Sequence, residues 1–121
     1  MNKTEKIYDL EERTAVFAEK VIKVCKAVKK DVVTSPIISQ LVRASTSIGA
    51  NYCETNGASS KKDFINKIHI CKKEAKETMY WLRILGTTDE SSKEKCQELW
   101  KEAHELALIF GKIAASSKLS N

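Results

Sequence analysis

The sequence predicts an all-α protein folded as an antiparallel, up-down-up-down four-helix bundle, and three observations carry that expectation. Apolar residues recur at alternating spacings of three and four in four successive segments. The breaks between segments are a few residues long, which sets neighbouring helices of matched length in opposite directions. With only four glycines and one proline in 121 residues, turn-formers are too scarce for a sandwich of short strands. The length fits a single domain over residues 1–121.

Helix one carries Leu10, Thr14, Phe17, Val21, Val24 and Val28 on one stripe, and Asp9 with Glu12 reads as a capping box at its start. Helix two opens at Ser35-Pro36, with serine as N-cap and proline at the first helical position, where a missing N–H costs nothing. Its stripe is Ile38, Leu41, Ser45, Ile48 and Tyr52, and Gly57 ends the run. Helix three begins with Ser60 three residues before Asp63, continues through Phe64, Ile68, Cys71, Ala75, Thr78, Leu82 and Leu85 beside Met79, and stops at Gly86. Helix four starts between Asp89 and Ser92 and shows Cys96, Leu99, Ala103, Leu106, Phe110 and Ile113. Each helix is expected at roughly 20 to 28 residues, about 30 to 40 Å at 1.5 Å per residue.

The opening residues, Met1-Asn2-Lys3-Thr4-Glu5-Lys6, lead into a charged helix and not an apolar leader, so a cytoplasmic location is expected. The least charged stretch, Val32 to Tyr52, is interrupted by serines, threonines and Arg43, which excludes a membrane span. Twenty-one Lys and Arg against sixteen Asp and Glu give a net charge of +5, permissive of a polyanionic partner. Helix two also carries Ile37, Val42, Ala44, Gly49, Ala50 and Cys53 off its core stripe. A helix apolar or small almost all round is normally buried on more than one side. Self-association is therefore expected, with Ile37, Leu41, Val42 and Ile48 contributing to the contact between subunits.

Arg43-Ala44, then Ser47-Ile48-Gly49-Ala50-Asn51 and Glu54, continued by Asp63-Phe64-Ile65, Lys67, Lys73-Glu74-Ala75, Glu77 and Tyr80-Trp81-Leu82, closely resemble the four-helix-bundle proteins of the 23S ribosomal RNA intervening-sequence family. The resemblance is strongest over helices two and three and extends through the chain by length and helix order. It implies a small bacterial protein assembling as a ring-like homo-oligomer, a pentamer. Accessory proteins of diversity-generating retroelements are related to this family, and through them the resemblance implies nucleic acid and a reverse transcriptase, or another protein, as partners. It implies no established biochemical activity.

Any chemistry must reside in the polar residues. Arg43 in an otherwise uncharged helix needs a carboxylate, and Glu74 or Glu77 on helix three can supply a bidentate one. Arg43, Asn51, Glu54, Glu74 and Glu77 are accordingly expected to form a structural polar network. A di-iron bundle site requires Glu-x-x-His on two helices, whereas Asn66 precedes His69 and Lys101 precedes His104. Phosphate-binding glycine loops, a His-Glu-x-x-His run and paired Cys-x-x-Cys motifs are absent from the sequence. Cys25 and Cys96 belong to one end of the bundle and Cys53 and Cys71 to the other, too far apart for one metal, so all are expected to be reduced core thiols. No catalytic residue, metal or cofactor is assigned, and the protein is expected not to be an enzyme.

The most informative constellation is basic. Lys62, Asn66, His69, Lys73, Lys76 and Tyr80 recur along one outer face of helix three, with Lys61 and Lys72 beside them, and helix one adds Lys23, Lys26 and Lys30. Lysines spaced over successive turns can track phosphates, and a tyrosine can stack on an unpaired base. Lys61, Lys62, Lys72, Lys73, Lys76 and Arg83 are the expected contacts to RNA or DNA. Lysines on outer faces also solubilise ordinary bundles, so the alternative is an oligomeric scaffold for a protein partner.

Overall fold

The computed structural model describes residues 9–119. The opening hexapeptide Met1 to Lys6 lies outside them. Within them are four α-helices and no strand: α1 (Leu10–Ala27), α2 (Thr34–Glu54), α3 (Lys61–Thr88) and α4 (Lys93–Leu119). Short 3₁₀ turns, Thr55–Gly57 and Glu90–Ser92, lead into the last two. The helices hold 18, 21, 28 and 27 residues, so α1 is shorter than its expected range within the described chain.

The helix starts show which local signals govern. At α3, Ser60 is extended and its hydroxyl accepts from Asp63 N at 3.0 Å, while Asp63 Oδ2 accepts from Ser59 N at 3.0 Å. Two N–H groups without helical partners are satisfied reciprocally. Asp9 makes no side-chain cap to α1, because its backbone (φ −99°, ψ 26°) is not in the extended conformation that swings a cap side chain under the first turn. Helix α2 begins one residue before Ser35. Its first amides are capped from Asp31, whose Oδ1 accepts from Val33 N and Thr34 N, both at 2.8 Å. Pro36 then occupies the third helical position, still within the turn whose N–H groups have no helical partner.

The stripes meet in one core. Phe17, Val21, Leu41, Ile48, Ile68, Leu82, Leu85, Leu106 and Phe110 are essentially inaccessible. Each such apolar side chain contributes about 1.5–3 kcal/mol by leaving water. Tyr52 crosses the core from α2 to set its ring 5.8 Å from that of Phe110 on α4. Consecutive helices pack on one another, and α1 also meets α4. Along the α2–α3 seam Glu54 lies by Lys67 whereas Arg43 lies by Glu74 and Glu77, so numbering rises on one helix as it falls on the other. The same order holds between α3 and α4, where Gly86 faces Cys96 and the Lys72 stem lies over Gly111.

Two glycines do other work than ending helices. Gly86 is buried inside α3, which continues to Thr88, and an alanine Cβ there would stand 3.1 Å from Cys96 Cβ. It marks a close approach of α4, not a stop. Gly49 faces Thr14 of α1, where an added Cβ would lie 2.8 Å from the threonine hydroxyl. Gly57 has no positive φ either; α2 ends three residues earlier, in a 3₁₀ turn.

The expected subunit contact on α2 needs correction. Leu41 and Ile48 retain no accessible surface and Ile37 retains 8%, all covered by the chain's own helices. Residues so enclosed have nothing left to offer a second subunit, and only Val42 of the four is half-exposed. The exposed residues of α2 are Ser35, Pro36, Ser39, Gln40, Arg43, Ala50, Cys53 and Glu54, small, polar or charged. Arg43 and Glu54 are the charged residues of this helix, and close packing within one chain accounts for its buried small residues Ala44 and Ser45. No helix among the described residues is long and apolar enough to cross a membrane.

Candidate nucleic-acid interface

Helix α3 sorts its charges by face. Lys62, Asn66, His69, Lys73, Lys76 and Tyr80 are all exposed along its outer side, Tyr80 at 55%. Lys61 and Arg83 are exposed at the two ends of the same helix, and Lys72 is half-buried with its stem over Gly111. Among the described residues none of Lys61, Lys62, Lys72, Lys73, Lys76 and Arg83 has a carboxylate within ion-pair distance. Lys61, Lys62, Asn66 and His69 line a shallow groove of about 550 Å³ together with Lys118 of α4. Lys118 extends the basic surface onto a second helix, and no spacing rule links position 118 to position 61.

The carboxylates of α3 point elsewhere. Glu74 and Glu77 both engage Arg43 across the α2–α3 seam, Glu74 at 3.4 Å, and Gln40 Oε1 accepts from Arg43 Nε at 3.2 Å. The Trp81 indole N–H donates to Glu77 Oε2 at 3.1 Å, and Tyr80 stands edge-on to that indole with ring centroids 5.0 Å apart. Arg43, Glu74 and Glu77 thus form the expected network, with Trp81 and Gln40 as members the sequence did not identify. Asn51 and Glu54 do not join it. The Asn51 amide donates to Ser47 O of its own helix at 2.8 Å, and Glu54 lies 3.7 Å from Lys67. Both sit two or more helical turns beyond Arg43, out of reach of its guanidinium.

A second ion cluster went unseen in the sequence. Arg13 of α1 donates to Glu102 through both Nε and Nη2, at 2.9 and 2.8 Å, and its Nη2 lies 3.0 Å from Glu105. Hydrogen bonding to Glu102 holds the Arg13 pKa above the ordinary guanidinium value. This cluster closes the α1–α4 seam and leaves Arg13 no free charge for a ligand.

The thiols divide three and one. Cys25, Cys71 and Cys96 are buried, and burial pushes Cys25 to about 11, Cys71 to about 12 and Cys96 upward from the ordinary thiol value. Cys53 is exposed and is not the core thiol its pattern implied. Both histidines are exposed as well. Among the described residues no three His, Cys, Asp or Glu side chains gather to hold a metal ion.

Residues 7–112 match the profile of the 23S rRNA-intervening sequence protein family. The chain belongs to that family. A crystal structure of a protein of unknown function from the S23 ribosomal protein family of Bacteroides thetaiotaomicron is 32% identical and superposes with a TM-score of 0.79, covering 91% of this chain and 98% of that one. None of the curated proteins matches the chain. Membership in the 23S rRNA-intervening sequence protein family describes the bundle. Most polar members of its resemblance motif, Arg43, Glu54, Asp63, Lys67, Glu74 and Glu77, close the α2–α3 seam or the α3 start.

Proposed function

We propose that this 23S rRNA-intervening sequence protein is a non-enzymatic, homo-oligomeric nucleic-acid-binding protein that contacts RNA or DNA through the outer face of α3. The observation that supports this most is the set of six cations on that helix without a carboxylate partner, running alongside exposed Tyr80. An up-down-up-down course is supported by the opposing order of contacts along each seam, and it keeps the α3 face open to solvent along its length. The family resemblance supports assembly into a pentameric ring beside a protein partner, for which a reverse transcriptase is a candidate, and the charged opening residues support work in the cytoplasm. Repetition of a weak basic face around a ring raises avidity without new contacts.

Fluorescence anisotropy with labelled RNA, single-stranded DNA and duplex, measured across a salt series, tests the proposal. The wild-type affinity should fall steeply with salt, and replacing Lys62, Lys73 and Lys76 by Glu should weaken all three ligands. The slope of log affinity against log salt should drop by about 0.9 for each duplex phosphate that no longer meets a lysine. Light scattering on the same samples should give a mass several times the 13.6 kDa of one chain, unchanged by the substitutions. Absence of binding at about 50 mM salt, or binding indifferent to the triple substitution, rejects this surface and favours the protein scaffold.

A further inference from the structure

The lysine face does not end in open solvent. Continuing the outer side of α3 past Tyr80 leads to Arg83, which lines a groove of about 470 Å³ between the end of α3 and the start of α4. That volume lies within the range of small-ligand pockets, roughly 300–1,000 Å³. Its floor is apolar: Leu82, Gly86 and Cys96 are buried, and the half-buried Trp100 forms a wall. Its exposed rim carries Arg83, Lys93 and Lys101, and no carboxylate lines it. His104 stacks against the far part of the wall, its ring centroid 5.3 Å from the indole at an interplanar angle of 35°, which braces the tryptophan.

An apolar slot with an aromatic wall and a cationic rim suits a flat, apolar-faced group attached to an anion. A nucleobase on its phosphate is such a group, and it reaches an aromatic wall only when unstacked from its neighbours. We infer that this groove holds one unstacked base of a single-stranded nucleic acid against Trp100, with the adjoining phosphates on Arg83 and Lys101. The assignment rests on nucleic-acid binding by the α3 face and adds a preference for single strands. Gly86 contributes twice, since its missing side chain lets α4 approach and keeps the slot open. Two other grooves lack this combination. The one beside Lys61 and Lys62 has only the exposed His69 as a ring and no buried apolar floor of this kind, and the one between Leu10 and Ile113 contains Arg13, already held by Glu102 and Glu105.

Trp100→Leu separates the groove from the lysine face. With short oligothymidine as probe, the substitution should weaken binding by roughly 5- to 150-fold, the span of one base-stacking contact. Its salt slope should stay unchanged, because every phosphate keeps its cation. Binding of a DNA duplex should change less than twofold. Saturating oligothymidine should quench a component of tryptophan emission that is missing from Trp100→Leu, whereas duplex should not. Lys101→Gln, an exposed change that spares the floor, should also weaken oligothymidine more than duplex, and it supplies the test if Trp100→Leu fails to fold. Equal effects on single strand and duplex, or none on either, overturn the groove while leaving the lysine face standing. A changed oligomeric mass for Trp100→Leu identifies the groove as a contact between copies and also overturns it. Absence of nucleic-acid binding by the wild type defeats the α3 interface, and the groove with it.

Discussion

Replacing Gly49 by alanine should destabilise the protein through a single contact. The new Cβ would stand 2.8 Å from Thr14 Oγ1 and 3.2 Å from Thr14 Cβ. Thr14 is fully buried, and its hydroxyl donates to Leu10 O at 2.7 Å, so rotating it away strands a buried donor. Overpacking of this kind costs about 1–3 kcal/mol, and the better helix propensity of alanine returns about 1 kcal/mol. The expected net effect is a loss of up to about 2 kcal/mol. In a Thr14→Ala background the 2.8 Å contact no longer exists. The 3.2 Å contact with the residue-14 Cβ remains, so the same Gly49→Ala change should there cost less than in the wild type and approach neutrality as the alanine helix propensity offsets it. Urea unfolding followed by far-UV circular dichroism, at fixed protomer concentration because assembly contributes to apparent stability, measures both backgrounds. Stabilisation of the wild-type chain by Gly49→Ala, or equal effects in the two backgrounds within about 0.5 kcal/mol, would refute the close approach of α1 to α2.

Two further outcomes follow from the fold. A thiol reagent at mildly alkaline pH should label Cys53 in the native chain and reach Cys25, Cys71 and Cys96 only in denaturant, read by intact mass, because burial holds those three thiols protonated; rapid native labelling of all four would contradict their enclosure. The Asp31 carboxyl lies below its ordinary value because Thr34 N and Val33 N donate to it. A depressed folded pKa gives stability that is complete above the unfolded value and is lost as pH falls through the folded one. The gap in Tm between wild type and Asp31→Asn should therefore hold from neutral pH down to about 4 and close below it. A gap that persists in acid would remove Asp31 as the cap of α2.

How much of this was legible in the sequence depends on whether one chain segment or two decided the outcome. The stripe from Leu10 to Val28 is buried throughout, and the Ser60 and Asp63 start of α3 forms as written, since periodicity and capping are properties of single segments. Gly86 misled because a helix stop and a close helix approach both call for a residue without a side chain, and only the position of Cys96 distinguishes them. Ser35-Pro36 misled because Asp31, four residues upstream, accepts from Val33 N and Thr34 N and so starts the helix before Ser35. Arg43 announced its need for a carboxylate by being alone in an uncharged helix, and Glu74 and Glu77 answered it. Arg13 had Glu11 and Glu12 nearby in sequence and gave no sign that Glu102, 89 residues away, would hold it. On α2, small residues imitated an apolar interface while serving the chain's own packing. The groove at Trp100 was likewise invisible, because its walls belong to two helices.

The net charge of +5 understates what this bundle presents to a polyanion. All three acidic side chains of α3 are engaged: Asp63 with the backbone N–H and hydroxyl of Ser59 and with Lys67, and Glu74 and Glu77 with Arg43. Among the described residues only Lys67 of its cations is paired, and its partners Glu54 and Asp63 lie at the α2–α3 seam. Neutralisation is thus confined to one side of the helix, and the uncompensated positive charge is confined to the other. An even mixture of the same residues would be mutually screened within about 8–10 Å at physiological salt, whereas this separation leaves a row of unpaired cations along a 28-residue helix. Arg43 contributes to the separation, because Glu77 stands four residues from Lys73, within helical pairing reach, and is engaged by Arg43. The family motif and the basic face are therefore coupled: the residues that fasten α2 to α3 are also those that leave the lysines free.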